Sequence, residues 1–142
     1  MNEKWDRRFI DLAVHASMWS KDPSTQVGAV IVDKENRVVS LGYNGLPRGV
    51  EDTPDRLNNR ELKLKLTVHA ELNAIQFARQ NLGGCTLYTY PFMPCSVCAG
   101  QVIQSGISRV VSFQEKDNSK WSDSIALSKQ IFKEAGVEVC LY

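Results

Sequence analysis

Four side chains of the types that bind and use a metal ion occur in two short groups. His69 and Glu71 form an H-x-E group, and Cys95 and Cys98 form a C-x-x-C group that directly follows Pro94. A catalytic zinc ion takes three protein ligands and leaves its fourth position to water. One imidazole and two thiolates supply that set, and the two thiolates cancel the double positive charge of the ion. We therefore predict one zinc site formed by His69, Cys95 and Cys98.

Glu71 is not needed as a ligand in this set, so its carboxyl group is available for proton transfer. An H-x-E group followed by P-C-x-x-C is the signature of zinc deaminases, in which an activated water attacks the ring carbon that carries the amine. The glutamate moves protons between this water, the ring and the leaving ammonia. We interpret Glu71 as the catalytic acid/base.

Both groups are expected at the beginning of a helix. Cys95 and Cys98 lie three positions apart and would share a helix face, and Pro94 is typical of a helix start. Positions two apart on a regular helix point about 200° away from each other. We predict that His69 lies in the irregular first turn of its helix, because only then do His69 and Glu71 face the same site.

A structural interpretation of these residues stays open. A zinc ion that only holds the fold needs a fourth ligand, which Cys85, Cys140 or His15 would have to supply. Both cysteines occupy apolar strand positions typical of buried residues, and His15 lies among apolar neighbours on the first predicted helix. Glu71 alone would fit a solvated first-turn residue, but beside His69 and the cysteine pair the catalytic interpretation is favoured.

Several polar residues elsewhere are candidates for substrate contacts. Asn44 follows the second predicted strand and is either a turn residue or a ligand of the substrate. Ser24 and Thr25 either shape a turn or donate hydroxyl hydrogen bonds to a phosphate. Phe92 packs in the core or against a flat base. The basic residues that precede His69 are typical of a solvated face: Arg56, Arg60, Lys63 and Lys65.

Hydrophobic patterning predicts the elements that position these residues. We expect helices over 3–20, 70–81, 95–105 and 121–135, a short helix over 57–66, and strands over 27–32, 37–42, 85–90, 108–113 and 137–141. The first two strands should form an antiparallel hairpin, and the strand–helix alternation of the second half favours parallel pairing. A long loop is predicted over 43–58, and a polar loop is predicted between the strand that ends at residue 113 and the helix that begins at residue 121. The expected fold is α/β with three layers, in which helices cover both faces of a five-stranded mixed sheet.

Length and composition indicate a single domain over residues 1–142. The hydrophobic share of 43% is ordinary for a globular protein, and the net charge of +1 argues against binding to a nucleic acid polymer. Local positive groups would still allow a small anionic ligand. Neither a leader-like N-terminus nor a run of 18 apolar residues occurs, so we expect a cytoplasmic protein without membrane partners.

Three longer segments resemble the deoxycytidylate deaminase family of the cytidine deaminase superfamily. They are SKDPSTQVGA at 20–29, GYNGLPRG at 42–49 and HAELNAI at 69–75. The resemblance implies hydrolysis of deoxycytidine monophosphate (dCMP) to deoxyuridine monophosphate (dUMP) with loss of ammonia, which feeds thymidylate synthesis. It implies the cytidine deaminase-like fold, with the same three zinc ligands and the same acid/base.

The resemblance also implies further contacts and partners. Asn44 would hold the sugar or base, and the Ala70 amide would contact the base carbonyl. The triphosphates dCTP and dTTP would act as effectors through the glycine-rich loop, and the chain would assemble as a homo-oligomer, commonly a hexamer. The loop residues concerned are Asn44, Gly45, Pro47, Arg48 and Gly49. Residues 114–121 depart from the tyrosine- and histidine-containing segment of many relatives.

Two other functions remain open at this point. The chain would be a deaminase of another cytosine nucleoside or nucleotide or of adenosine in transfer RNA, or a non-catalytic zinc- or RNA-binding module on the same fold. The second of these has no need of Glu71.

Overall fold

The computed structural model describes residues 2–114 and 122–142. Within these ranges the elements alternate largely as the patterning predicts. The helices are α1 (Glu3–Ser17), α2 (Pro54–Asn58), α3 (Arg60–Leu66), α4 (Ala70–Ala78), α5 (Ser96–Gln104) and α6 (Ser122–Ala135). The strands are β1 (Gly28–Val32), β2 (Val38–Tyr43), β3 (Thr86–Tyr90), β4 (Arg109–Ser112) and β5 (Glu138–Leu141).

The strands form one mixed sheet in the order β2-β1-β3-β4-β5. Strand β1 pairs antiparallel with both β2 and β3. Strands β3, β4 and β5 are parallel. The predicted hairpin and the predicted parallel second half are both confirmed.

Helices cover both faces of the sheet, which confirms the three-layer architecture. On one face, α1 packs Phe9 and Ala13 against Val30 of β1. On the other face, α4, α5 and α6 enclose a second core that includes Ile31 and Phe132. Val30 and Ile31 serve opposite faces because side chains alternate along a strand.

Two glycines allow helices to approach the sheet closely. A Cβ atom at Gly28 would collide with the backbone of α1. A Cβ atom at Gly42 would lie 2.6 Å from the carbonyl oxygen of Ala70 and 2.7 Å from the amide nitrogen of Ala74. The missing side chain at Gly42 therefore brings the beginning of α4 against β2.

Between β2 and α4 the chain leaves the sheet after Gly45 and returns next to Gly45 at Val68. Gly45 and Val68 form an antiparallel bridge, in which each amide donates to the other's carbonyl oxygen, at 3.2 and 2.8 Å. The enclosed segment contains α2 and α3. The predicted loop over 43–58 is therefore wrong in its second half, because Thr53 caps a helix that begins at Pro54.

Two helix ends differ from the predicted ones. Helix α1 ends at Ser17 rather than near residue 20, and Trp19 is 52% exposed instead of lying on the buried face. Helix α4 ends at Ala78 rather than near residue 81, because Arg79 adopts a left-handed conformation with φ of 51°. Residues 115–121 lie outside the described residues. They include most of the predicted polar loop, the segment that departs from many relatives, and Trp121.

In the described part of the chain, no helix is long and apolar enough to cross a membrane.

A buried carboxylate ties α1 to the far half of the sheet. Asp6, 2% exposed, accepts two hydrogen bonds from the Arg109 guanidinium, at 2.8 and 2.7 Å. The hydroxyl groups of Tyr88 and Tyr142 each donate to Asp6 at 2.8 Å. Burial alone would raise the pKa of Asp6, but these hydrogen bonds outweigh it and hold the pKa below its ordinary value of 3.8.

This pKa shift predicts a contribution of Asp6 to the pH dependence of stability. The unfolded chain binds a proton at Asp6 more tightly than the native chain, so the contribution is present above about pH 4 and is lost as the pH falls below it. Asp6→Asn should lower the free energy of unfolding at neutral pH by about 3 kcal/mol and flatten its decline between pH 5 and 2. Urea unfolding over this pH range measures both effects, with Asp11→Asn on the exposed face of α1 as the control. A wild-type profile in Asp6→Asn would contradict the prediction.

Candidate active site

The three predicted metal ligands meet where α4 and α5 begin. The Nδ1 atom of His69 lies 3.7 Å from the Sγ atom of Cys95 and 3.0 Å from the Sγ atom of Cys98. The ligand atoms all lie within 4.8 Å of one another. Zinc bonds of about 2.0 Å to nitrogen and about 2.3 Å to sulfur place tetrahedral ligand atoms roughly 3.5–3.8 Å apart. The donor set and its spacing therefore fit a zinc ion.

Both helices begin immediately after a ligand. His69 is the N-cap of α4 with φ of −69° and ψ of 151°, which is extended rather than helical geometry. This confirms that His69 precedes the regular turns and can face the same site as Glu71. Cys95 is likewise the N-cap of α5, so this helix begins one residue later than predicted, and Cys98 lies in its first turn.

The two thiol groups of the site have different proton affinities. The Cys98 thiol donates to the Cys95 sulfur, and this hydrogen bond, aided by His69 and opposed by burial, lowers the pKa of Cys95 to about 4. The same hydrogen bond, together with burial, raises the pKa of Cys98. These opposite shifts favour a thiolate at Cys95 and a thiol at Cys98, and a divalent metal ion bound by both sulfur atoms would displace the remaining proton.

Glu71 lies in the same site and is 5% exposed. Burial raises the pKa of its carboxyl group, although its own backbone and His69 oppose the change. A raised pKa suits a group that must both accept and donate a proton near neutral pH. The interpretation of Glu71 as a solvated first-turn residue is wrong.

A cavity opens over these residues. The apolar side chains of Val27, Leu64, Phe92, Met93 and Ile125 form much of its wall. Phe92 packs against the apolar core and also lines the cavity, so the core interpretation is confirmed and contact with a flat base stays a prediction. The polar and ionisable lining residues are Asp22, Ser24, Thr25, Asn44, Arg60, Lys63, Thr67, His69, Glu71 and Cys95.

The predicted substrate contacts Ser24, Thr25, Asn44 and Ala70 all line this cavity. The Asn44 side chain accepts from the amide of Val27 and donates to the carbonyl oxygen of Thr25, both at 2.9 Å. It therefore does hold a turn, as one interpretation expects. Its amide group retains one hydrogen and one acceptor position for a ligand. Ala70 is the first residue of α4, where backbone N–H groups have no partner within the helix.

The remaining residues of the predicted effector loop do not line the cavity. Gly45 belongs to the bridge with Val68, and Pro47, Arg48 and Gly49 are exposed. The Arg48 guanidinium lies over the Phe77 ring, 5.2 Å from its centroid.

A purely structural zinc site finds no support in the described residues. The metal-binding group found there contains neither Cys85, Cys140 nor His15. Cys85 is a buried core residue, whereas Cys140 is only partly buried. His15 is exposed and contacts the edge of Trp19 at 5.5 Å between ring centroids.

Buried hydroxyl groups hold the segment that leads to Cys95. Thr89 and Ser112, both 0% exposed, contact each other at 2.9 Å, and Thr89 donates to the carbonyl oxygen of Phe92 at 2.8 Å. Ser124 in α6 accepts from the amide of Ser96 at 2.9 Å and thereby caps α5 from outside. Nothing in the local sequence indicates the contacts of Thr89 with Ser112 and of Ser96 with Ser124, because each joins separate elements.

Two basic residues have a role that the sequence interpretation missed. Arg60 and Lys63 line the cavity, and Lys63 is 5% exposed instead of belonging to a solvated face. Lys63 pairs with Asp22 at 3.0 Å, across 41 positions of sequence. The pattern around Lys63 gives no indication of this, because the exposed Lys65 stands in the same alternation with leucine.

The chain is similar to known deaminases over most of its length. Residues 3–114 match the family model of the cytidine and deoxycytidylate deaminase zinc-binding region. An uncharacterized deaminase of the luxG 3′ region in Aliivibrio fischeri is 48% identical over 141 residues, covering 98% of this chain and 94% of that protein. Human deoxycytidylate deaminase is 39% identical over 140 residues, covering 94% of this chain and 77% of the human protein.

A solved structure has the same fold. The dCMP deaminase of cyanophage S-TIM5, in complex with dCMP and dUMP, superimposes with a TM-score of 0.78 at 24% sequence identity. The match covers 100% of this chain and 99% of that chain. The predicted cytidine deaminase-like fold is confirmed.

The ligand set predicts a specific loss of metal. Cys95→Ser should bind well under one zinc ion per chain where the wild-type protein binds one, because a neutral hydroxyl group replaces the most readily ionised ligand. Metal analysis after dialysis against a weak chelator measures the content. Cys140→Ser removes a cysteine outside the metal group and should keep its zinc. Full zinc content in Cys95→Ser would contradict the assignment.

Proposed function

Because the chain belongs to the cytidine and deoxycytidylate deaminase family, we propose that it hydrolyses dCMP to dUMP and ammonia, supplying dUMP for thymidylate synthesis. The observation that carries the proposal is the buried Glu71 carboxyl group, which lines a cavity together with the metal ligands His69 and Cys95. A site that only bound zinc would gain nothing from a buried acid at this position, since burying a carboxyl group is costly.

In this chemistry the metal ion would activate the water molecule, and Glu71 would carry out the proton transfers. A zinc ion held by His69, Cys95 and Cys98 would lower the pKa of a bound water molecule. Glu71 would accept a proton from the water molecule that attacks C4 of cytosine and would donate it to ring N3. Glu71 then passes the second proton to the amino group, so the C4–N bond breaks, ammonia leaves and C4 becomes a carbonyl carbon. One water is consumed for each ammonia released.

Other lining residues orient the substrate in this proposal. The free hydrogen-bonding positions of Asn44 hold the sugar or base, and the Ala70 amide donates to the base carbonyl. Ser24 and Thr25 offer hydroxyl groups to the phosphate. The Phe92 ring offers an apolar surface to the flat base.

Regulation and assembly extend the proposal. The triphosphates dCTP and dTTP act as effectors at the loop of Asn44, Gly45, Pro47, Arg48 and Gly49, and the chains form a homo-oligomer, a hexamer, in the cytoplasm. The exposed Arg48 supplies a cation for a triphosphate. Nearby exposed aromatic side chains, Tyr43 and Phe77, suit a contact with another copy.

Three alternatives predict different results. A deaminase of transfer RNA would need a larger basic surface than a net charge of +1 indicates. A free-nucleoside deaminase would ignore the phosphate, and a zinc- or RNA-binding module would release no ammonia.

Substitution of the acid/base tests the mechanism. Glu71→Gln should keep its zinc but lose at least about 10²-fold in kcat, because the amide group cannot shuttle a proton. Ammonia release on dCMP and zinc analysis of the same sample measure both properties. The control is Glu61→Gln, which replaces an exposed glutamate on α3. Near-normal turnover by Glu71→Gln would remove Glu71 from the mechanism.

A substrate panel tests the assignment itself. The zinc-loaded protein should release ammonia from dCMP with a higher kcat/KM than from deoxycytidine, cytidine monophosphate or adenosine-containing RNA. Equal rates on deoxycytidine would assign a nucleoside deaminase. Complete inactivity on every substrate would favour the binding module.

A further inference from the structure

The two cations that line the cavity are paired differently. The Nζ atom of Lys63 lies 3.0 Å from Asp22 Oδ1, and the two side chains are only 7% and 10% exposed, so their charges cancel. Arg60 is exposed and has no carboxylate partner within residues 2–114 and 122–142. Among the residues that the structure describes, the exposed side of the cavity therefore carries one uncompensated positive charge, that of Arg60, which suits an anionic ligand group.

Lys63 also determines which way the Ser24 hydroxyl group can donate. Its Nζ atom lies 3.2 Å from Ser24 Oγ. Since an ammonium group has no acceptor, the oxygen must accept this hydrogen bond, and the hydroxyl hydrogen points elsewhere. The Asp22 carboxylate keeps Ser24 in place by accepting from the amides of Ser24 and Thr25, at 2.8 and 3.1 Å. Ser24 is exposed, so its hydrogen is available to a ligand.

Burial orders the cavity from its interior to its surface. Glu71 and Asn44 are 5% and 7% exposed, whereas Ser24 and Arg60 are exposed. A base that reaches Glu71 leaves its sugar directed towards the exposed end. A charged group attached to that sugar would then lie near Arg60 and Ser24.

We propose that Arg60 and Ser24 form the subsite for the substrate phosphate, with the Lys63–Asp22 pair as the positioning element that orients Ser24. The inference rests on the proposed function, because it requires a cytosine nucleotide in the cavity. The Arg60 guanidinium donates to two phosphate oxygens and the Ser24 hydroxyl group donates to one. A nucleoside leaves these donors without an acceptor, so Arg60 is the residue that distinguishes nucleotide from nucleoside.

The ratio of kcat/KM for dCMP to kcat/KM for deoxycytidine tests the proposal. In the zinc-loaded protein, Arg60→Gln should lower this ratio about tenfold or more, mainly through KM for dCMP, because a charge-assisted hydrogen bond is lost. Arg60→Lys keeps the charge and should restore part of the ratio. The matched control is Lys65→Gln, which removes an equal charge from α3 at a position that does not line the cavity.

Two further variants test the orientation of Ser24. Ser24→Ala should lower the same ratio about tenfold, whereas Ser24→Thr, which keeps the hydroxyl group, should retain it. The double variant Asp22→Asn with Lys63→Gln removes both buried charges together, which avoids leaving a single charge unpaired. This double variant should also lower the ratio of kcat/KM for dCMP to kcat/KM for deoxycytidine. A loss of fold stability alone would lower both kcat/KM values and leave their ratio unchanged.

The outcomes separate this inference from the proposed function. An unchanged ratio in Arg60→Gln, or an equal loss on dCMP and deoxycytidine, would overturn the phosphate subsite while dCMP deamination stood. A wild-type protein that ignores dCMP but needs another phosphorylated cytosine substrate, with the same Arg60 dependence, would support the subsite and overturn dCMP as substrate. An unchanged ratio in Ser24→Ala would overturn the role of Ser24 and its positioning pair.

Discussion

The metal ligands are the residues with which α4 and α5 begin, so the distance between these two helix N-termini determines whether the site exists. His69 and Cys95 are separated by 26 positions of sequence, yet their ligand atoms lie 3.7 Å apart. Two adjacent N-termini also bring the positive ends of two helix dipoles together, which is unfavourable without negative charge between them. Cys95 lies at this point, and its pKa, lowered to about 4 by the Cys98 hydrogen bond and by His69, favours a negative charge there.

Three other parts of the structure hold the N-termini of α4 and α5 next to each other. Gly42 lets the beginning of α4 lie against β2, since a side chain there would displace it by contact with Ala70. The buried hydroxyl group of Thr89 holds the segment before Cys95, and Ser124 of α6 caps α5. The ligands are thus placed by backbone positions in packed elements, which suits a site that must hold its geometry through each turnover.

The sequence predicts the site chemistry well because its evidence is local. The spacings H-x-E and C-x-x-C identify the metal ligands and Glu71 without reference to the fold. Hydrophobic periodicity likewise predicts the five strands, and their order along the chain predicts the antiparallel hairpin and the parallel second half, but not the antiparallel pairing of β1 with β3. Lys63 could not be placed in this way, because its burial depends on Asp22, which lies 41 positions away. Arg79 ends α4 in a left-handed backbone conformation that its residue type does not indicate, since glycine is the usual residue at such a helix end.

The bridge between Gly45 and Val68 has a consequence for the evolution of substrate range. Two main-chain hydrogen bonds between Gly45 and Val68 hold the two ends of segment 46–67 together. The chain therefore leaves the sheet and returns to it at a single point. This segment carries Arg60 and Lys63, whereas His69, Glu71 and the cysteines lie outside it. Insertions, deletions or substitutions within the segment can therefore alter what surrounds the far end of a substrate while the hydrolytic chemistry stays intact. In a family with this architecture, replacement of the single segment between the two bridge residues can change the range of substrates.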